Sequence, residues 1–342
     1  MQTFNYIGAI HIHTTFSDGS KNVEEISKIA KKCGLDWIII TDHNTFDIKE
    51  GIYNGVYVIK GEEISNDETG HFLAFNTKNC IGEVPVSKAI ELAHSQGGFG
   101  FAAHPHESKT RNNNAKPLRW ADENIVPDGI EIWNWFSNWA DNYNSKTIFN
   151  TMYSFLFRHS LVTKPCKDTL IWWDKLNNQT ENIVPAIGGC DAHELIIKKY
   201  IIPVHVFPYK VHFKTLNNMI TLRSPLNDDF NVAKTQILTS IKNGNNLIFN
   251  KKYYKNPILG KIFIKNNDEI ILMGESIKLD NMTYLNIHLE SEFLIKIIHN
   301  GNEILKTVDK NIHLLLNKKG KYRVEILRGD KGVIYTNPFK VI

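Results

Sequence analysis

The chain has 342 residues, enough for a large core and two domains, and Lys+Arg 40 against Asp+Glu 36 leave a net charge of +4. So even a balance gives weak help toward anionic substrates and does not argue for a stable nucleic-acid complex. Four scattered cysteines (Cys33, Cys80, Cys166, Cys190) form no C-x-x-C pair, which fits neither a disulfide framework nor a zinc ribbon and points to a reducing cytoplasm. No basic-then-apolar leader opens the sequence and no apolar run reaches about 18 residues, so neither signal peptide nor membrane span is expected.

A first strand is expected at residues 6–13, then a turn through Ser17-Asp18-Gly19. Val23, Ile26, Ala30 and Cys33 recur at helical spacing, which predicts a helix over 21–33 with Ser20 as its cap and Gly34 as its stop. Trp37-Ile38-Ile39-Ile40-Thr41 is a continuous apolar run, the mark of a strand buried on both faces of a parallel sheet, with Asp42-His43 just past its end. Further strands are expected at 56–60 leading to Gly61-Glu62-Glu63, at 71–75 starting at His71, at 99–103 leading to His104, at 129–133 leading to Asn134, and at 184–189 leading to Asp191 and His193. Val86, Ile90 and Ala93 mark a second helix.

Residues 134–184 are rich in aromatics and too long for a bare loop, so helices are expected there. Those aromatics fit a core, with Trp133, Trp135 and Trp139 as candidate stacking surfaces beside a strand exit. A strand at 201–207 and a helix at 235–242 follow. From about residue 252 short alternating runs (261–265, 269–273, 283–289, 293–299, 311–316, 322–327) are separated by turns such as Asn300-Gly301-Asn302 and Arg328-Gly329-Asp330, the pattern of a small antiparallel sandwich.

In an extended strand residues i and i+2 share a face, so His11 and His13 can reach one ion while Ile10 and Ile12 face the other way into a core. With Asp18, His43, Glu63, His71, His104, Asp191 and His193 they make nine nitrogen or oxygen donors, most of them at strand ends, which is how a parallel barrel gathers a site. Nine donors exceed the needs of one four-coordinate ion and suit two or three divalent ions, Zn, Mn or Fe. Two ions about 3.5–4 Å apart clamp an oxyanion and acidify water, so hydrolysis follows. Cys190 is expected on the opposite face from Asp191. No phosphate-cradling Walker loop, nucleophile elbow or dinucleotide fingerprint competes.

The segments HIHTTFSDGS (11–20), ITDHN (40–44), GEEIS (61–65), GHFLAF (70–75), AAHPH (102–106), IEIWN (130–134) and IGGCDAH (187–193) resemble, in order and residue type, the PHP (polymerase and histidinol phosphatase) metal-dependent phosphoesterases, over about residues 7–210. The resemblance implies an α/β fold: a distorted (β/α)7 TIM-like barrel, here at 1–250, with a small C-terminal all-β sandwich domain at 251–342. It implies one ion on His11, His13, Glu63 and Asp191, a second on Glu63, His71 and His104, and a third position lined by Asp18, His43 and His193, with Glu62 structural. Asp191 and His193 are the expected catalytic residues, His193 as proton donor if the third position is empty and water as the alternative. Arg111, Arg119 and Lys109 are candidate phosphate-clamping residues, and Asn134 is a further substrate-binding candidate.

The expected activity is hydrolysis of a phosphorylated small molecule, nucleotide or short oligonucleotide by a metal-activated hydroxide, the tryptophans favouring a nucleotide or diester. Two alternatives stay open: an amidohydrolase-like hydrolase of an amide or lactone, and a non-catalytic metal-bearing binding protein.

Overall fold

The computed structural model describes residues 2–108, 118–143, 152, 156–197, 204–255 and 261–342. Arg111 and Lys109 lie outside the described residues. The apolar runs read from the sequence form the staves of a mixed α/β closed barrel. β1 (Phe4–Ile12) lies parallel to β2 (Trp37–Ile40), and a short β3 (Gly51–Tyr53) folds back on β4 (Val56–Asn66), itself parallel to β2. β5 (Gly70–Phe75) runs antiparallel to both β4 and β6 (Phe99–Ala102). β7 (Gly129–Asn134) and β8 (Ala186–Ala192) continue in parallel, and β8 closes the ring on β1.

Helices fill several of the crossovers: α1 (Val23–Lys32), α2 (Val86–Ser95), α3 (Trp135–Asn142) and α4 (Lys167–Gln179). The cap of α1 is Asn22 and not Ser20. Asn22 Oδ1 accepts from Glu25 N at 3.0 Å while Glu25 Oε2 accepts from Asn22 N at 3.1 Å, a reciprocal capping box that satisfies two otherwise orphaned amides.

Alternation along the staves sorts side chains between two cores. Ile10, Ile39, Ile59, Leu73, Phe101 and Ile187 form one cluster, while Ala9, Ile38, Ile40 and Val58 pack with Ile26 and Ala30 of α1 in another. Ile12 joins the second cluster, so Ile10 and Ile12 do not share a face as the strand pattern predicted. The cause is His11, whose φ of 67° puts a left-handed residue into β1 and reverses the alternation there. The pairing with β8 slips at the same point, from Ile10 opposite Gly189 to Ile12 opposite Ala192.

Beyond β9 (Leu195–Ile197), β10 (Val204–Val206) and the short α5 (Tyr209–Phe213) come two barrel-side strands that the sequence reading did not predict. β11 (Leu216–Leu222) pairs antiparallel with Phe4–Gly8 of β1, and β12 (Asn246–Asn250) pairs with β11 after α6 (Phe230–Asn243). The remaining strands are β13 (Lys261–Lys265), β14 (Ile270–Ile271), β15 (Ser276–Ile277), β16 (Tyr284–His299), β17 (Asn302–Leu315), β18 (Gly320–Arg328), β19 (Lys331–Thr336) and β20 (Phe339–Val341). β12 pairs antiparallel with β19, so the ladder runs from barrel to C-terminal strands. The runs expected at 283–289 and 293–299 are one strand, irregular against β17 between His288 and Phe293.

Trp133, Trp135 and Trp139 are buried in an aromatic core with Trp120, Trp172, Trp173 and Phe207 and offer no stacking face. Among the described residues no helix is long and apolar enough to cross a membrane.

Candidate metal centre

The barrel gathers all nine predicted donors at one end. His11 is the next-to-last residue of β1 with His13 just past its end, His43 follows β2, Glu63 lies near the end of β4, His104 follows β6, and Asp191 and His193 flank the end of β8. His71 stands at the start of its strand, and β5 runs backwards, so its start meets the ends of the others: Ser65 pairs with His71. His11, His13, Glu63 and Asp191 are fully buried, His71, His104 and His193 nearly so, while the Asp18 side chain, 54% exposed, marks the mouth.

Glu63 is the centre of the cluster. Its Oε2 lies 3.2 Å from His11 Nε2, 3.3 Å from His13 Nε2 and 3.0 Å from His43 Nδ1. Its Oε1 lies 2.8 Å from His71 Nδ1 and 3.3 Å from His104 Nε2. Asp191 Oδ1 is 3.8 Å from His11 Nε2, 3.7 Å from His13 Nε2 and 3.4 Å from His193 Nδ1. Asp18 Oδ1 lies 3.1 Å from His193 Nε2 and 3.7 Å from His43 Nε2. Four overlapping groups have donor atoms close enough to hold an ion: His11, His13 and Glu63; His11, His104 and Asp191; His43, Glu63 and His71; and His13, Asp18, His43 and His193.

The family model described as PHP domain matches residues 9–111, which hold seven of the nine donors. An uncharacterized protein of Methanocaldococcus jannaschii is 32% identical over 143 residues, covering 80% of that protein and 36% of this chain. The chain belongs to the PHP family. Among solved structures, a two-domain protein of Bacteroides vulgatus containing a predicted PHP-like metal-dependent phosphoesterase is 16% identical, with 98% of this chain and 95% of that one covered and a TM-score of 0.46. A lesion-specific endonuclease of Pyrococcus furiosus is 14% identical, with 69% and 56% covered and a TM-score of 0.37.

The PHP cluster fits divalent ions on its own chemistry. His11 Nε2, both ring nitrogens of His13, Glu63 Oε2, His71 Nε2 and His193 Nε2 are buried and make no hydrogen bond. One such atom costs about 1–3 kcal/mol. So many unanswered polar atoms in one cluster make sense where cations take the place of protons, and the imidazole and carboxylate set suits a borderline divalent metal.

Electrostatics carry the same strain. Burial opposes the charge on His11, yet the carboxylates of Glu63, Glu131 and Asp191 hold its pKa well above the usual value. Burial and the neighbouring imidazoles of His193 and His43 push His13 well below. Burial works against ionised Glu63, and the charges of His11, His43 and His71 hold it well below the usual carboxylate range all the same. Adjacent imidazoles are thus driven in opposite directions, a conflict that divalent charge in place of protons removes.

Three of the nine donors sit in the left-handed backbone region: His11 at φ 67°, His104 at 28° and Asp191 at 49°. Each non-glycine residue so held costs on the order of 1–3 kcal/mol. The return is direction, since the turn at each strand end swings the side chain into the pocket.

Sequence reasoning passed over Glu131 and Asp42. Glu131 is 1% exposed on β7, and its one signal was an acid between Ile130 and Ile132 inside a buried strand. Asp42 pins the turn before Asp18 through Thr14 N and Ser17 Oγ, both at 2.6 Å. Glu62 points away from the pocket and accepts from Ile81 N at 2.8 Å and Gly82 N at 2.7 Å. Cys190 lies on the far side of β8, its Sγ 3.4 Å from Leu216 O. Arg119 is exposed, with Nε donating to Glu107 O at 2.7 Å. The Asn134 amide is engaged at both ends, capping α3 by accepting from Ser137 N at 2.9 Å and donating to Glu131 Oε2 at 3.0 Å.

Proposed function

We propose that this chain is a metal-dependent phosphoesterase that hydrolyses a phosphate ester of a small molecule, nucleotide or short oligonucleotide. The observation that carries the reading is the division of Glu63, one oxygen against His11, His13 and His43 and the other against His71 and His104. A carboxylate so placed suits two cations side by side. His11, His13, Glu63 and Asp191 would hold one ion and Glu63, His71 and His104 a second, with Asp18, His43 and His193 lining an outer position. Zn, Mn or Fe held there supplies Lewis acidity to a phosphoryl oxygen and acidifies water.

The protein's own groups do the rest. Buried Glu63 and Asp191 fix the inner imidazoles, and the walls keep bulk water from the reacting phosphate. With that outer position empty, His193, 9% exposed and 3.1 Å from Asp18, stands at the mouth, where it hands a proton to the leaving oxygen; with an ion there, water is the donor. With the three tryptophans in the core, base stacking gives this reading no support, and substrate recognition rests on the phosphate and on Arg119. Residues 1–250 carry the chemistry and 251–342 brace them. The four free cysteines suit a reducing cytoplasm.

The test is hydrolysis of nitrophenyl phosphate against bis-nitrophenyl phosphate by metal-stripped protein resupplied with Mn, Zn or Fe. Turnover of either ester that disappears in Asp191→Ala supports the reading and tells monoester from diester. Turnover of amide or lactone substrates with both esters untouched would sink it.

A further inference from the structure

Glu131 is a buried carboxylate with no place in the ligand sets above. Its Oε1 lies 2.8 Å from His11 Nδ1, and its Oε2 accepts from the His104 backbone N–H at 2.7 Å and from Asn134 Nδ2 at 3.0 Å. Asn134 Nδ2 is in turn 3.5 Å from Asp191 Oδ2. One side chain on β7 therefore touches two candidate ligands from other strand ends and is linked to a third, Asp191, through Asn134.

The space around it is made for a carboxylate. A Cβ on Gly189 would sit 1.5 Å from Glu131 Oε1 and 3.2 Å from His11 Cβ, so β8 has glycine where β7 sends its acid across. The contacts also fix protons. An ionised carboxylate only accepts, so His11 carries a hydrogen on Nδ1, and Nε2, on the side of Glu63 and His13, is the nitrogen that binds a cation in place of a proton.

We propose that Glu131 is a positioning residue of the metal centre: it sets the tautomer and orientation of His11 and, through His104 N and Asn134, ties that ring to the opposite wall of the barrel. The proposal rests on the metal-site reading above and goes beyond it, because it assigns the readiness of His11 Nε2 to a group that touches no ion.

The isosteric change Glu131→Gln separates this role from plain packing. His104 N and Asn134 Nδ2 are donors only, so the new amide must turn its oxygen toward them and its NH2 toward His11 Nδ1. The imidazole then accepts at Nδ1, its proton moves to Nε2, and the nitrogen facing the pocket can no longer bind. A residue that merely filled space would be replaced by Gln at no cost to metal.

The experiment measures Zn2+ affinity of the full chain by competition with a chromophoric chelator, for wild type, E131Q and E131D, with thermal unfolding of each stripped protein as the fold check. The expected result is affinity about 10–100-fold weaker in E131Q, with E131D, which keeps the carboxylate, recovering part of the loss. Equal affinities in wild type and E131Q overturn the proposal while leaving the phosphoesterase reading intact. Absence of Zn2+, Mn2+ and Fe2+ binding by the wild type removes both. Should E131Q fail to fold, nitrogen NMR of histidine-labelled, zinc-loaded wild type decides: hydrogen on Nδ1 of His11 is required, and hydrogen on Nε2 refutes the assignment.

Discussion

Asp42 closes on Thr14 with both oxygens of its carboxylate, Oδ1 2.6 Å from the backbone nitrogen and Oδ2 2.7 Å from the hydroxyl. Ser17 Oγ adds a third donor at 2.6 Å, so this one side chain braces the turn that carries Asp18 to the mouth, alongside the backbone bonds of Ser17 N and Gly19 N to Thr14 O. Asp42→Ala leaves fully buried Thr14 with an unanswered N–H and costs about 2–3 kcal/mol. Asp42→Asn is milder, since the amide can still accept at one atom while the Thr14 hydroxyl turns. Urea unfolding of metal-stripped protein measures both, and an Ala variant as stable as wild type would show that the turn holds itself.

Metal should stabilise the protein through the cluster around Glu63. Saturating Zn2+ or Mn2+ at about 100 times its Kd adds about 2.7 kcal/mol to the folded state, and a chelator removes it. In His11→Ala or Asp191→Ala most of this gain disappears, because each change deletes a donor from one or more of the groups able to hold an ion. Calorimetric melting with and without metal gives the answer; an equal shift in wild type and variants would place the ions elsewhere.

The donors were legible in the sequence because ligation restricts residue type and strand ends restrict position. His71 shows the limit of that logic: it starts its strand, and only the reversed direction of β5, which no residue announces, explains why it belongs. The left-handed turn at His11 was hidden as well, since positive φ is signalled by Gly or Asn and His11 is neither. β11 and β12 escaped because Asn217, Asn218, Asn246 and Asn250 break their apolar pattern with a residue type depleted in strands. In the structure all four are fully buried, and Asn218 replaces a missing ladder partner by accepting from Gly188 N at 2.9 Å and donating to Gly188 O at 2.7 Å. Burial of polar side chains against backbone depends on which strands meet, so local pattern cannot show it.

His212 gives the fold an acid sensitivity of known sign. It is fully buried against Trp135, ring centroids 4.0 Å apart, with Nδ1 donating to Cys190 O at 2.9 Å. Burial pushes its pKa down to about 3, so the folded protein keeps the ring neutral where an unfolded chain protonates it near 6.5. Between those values the unfolded state binds more protons, and stability falls with falling pH by up to about 1.4 kcal/mol per unit. Above 6.5 the contribution is complete. The stability difference between metal-stripped wild type and His212→Asn should therefore shrink as pH is lowered from 7 toward 4; parallel curves would show that His212 is not the group responsible.

Arg323 on β18 grips Asp174 on α4 in a fork, Nε to Oδ1 at 2.8 Å and Nη2 to Oδ2 at 2.7 Å, while Nη1 reaches Glu325 at 2.6 Å. Arg323 is 5% exposed and its guanidinium carbon lies over the Trp173 ring at 5.1 Å, so it ties the C-terminal strands to a barrel helix at a largely buried contact. Lys321 on the same strand donates to Asn177 O at 2.6 Å and Thr180 O at 2.9 Å, a second pin at the end of that helix. One apolar cluster also spans both parts, from Ile38 and Phe249 to Ile295 and Val324. Removing one partner of a buried pair strands the other charge, so Arg323→Ala should lose about 3–5 kcal/mol, and Arg323→Lys most of that because a single ammonium cannot make the fork. With a shared ladder, a shared core and these pins, barrel and C-terminal strands should unfold together. Tryptophan fluorescence, which reports the barrel, and far-ultraviolet circular dichroism should give one coincident urea transition in wild type and in Arg323→Ala. Two separated transitions in wild type would mean that residues 251–342 fold as an independent unit and that the Arg323–Asp174 fork is only a tether.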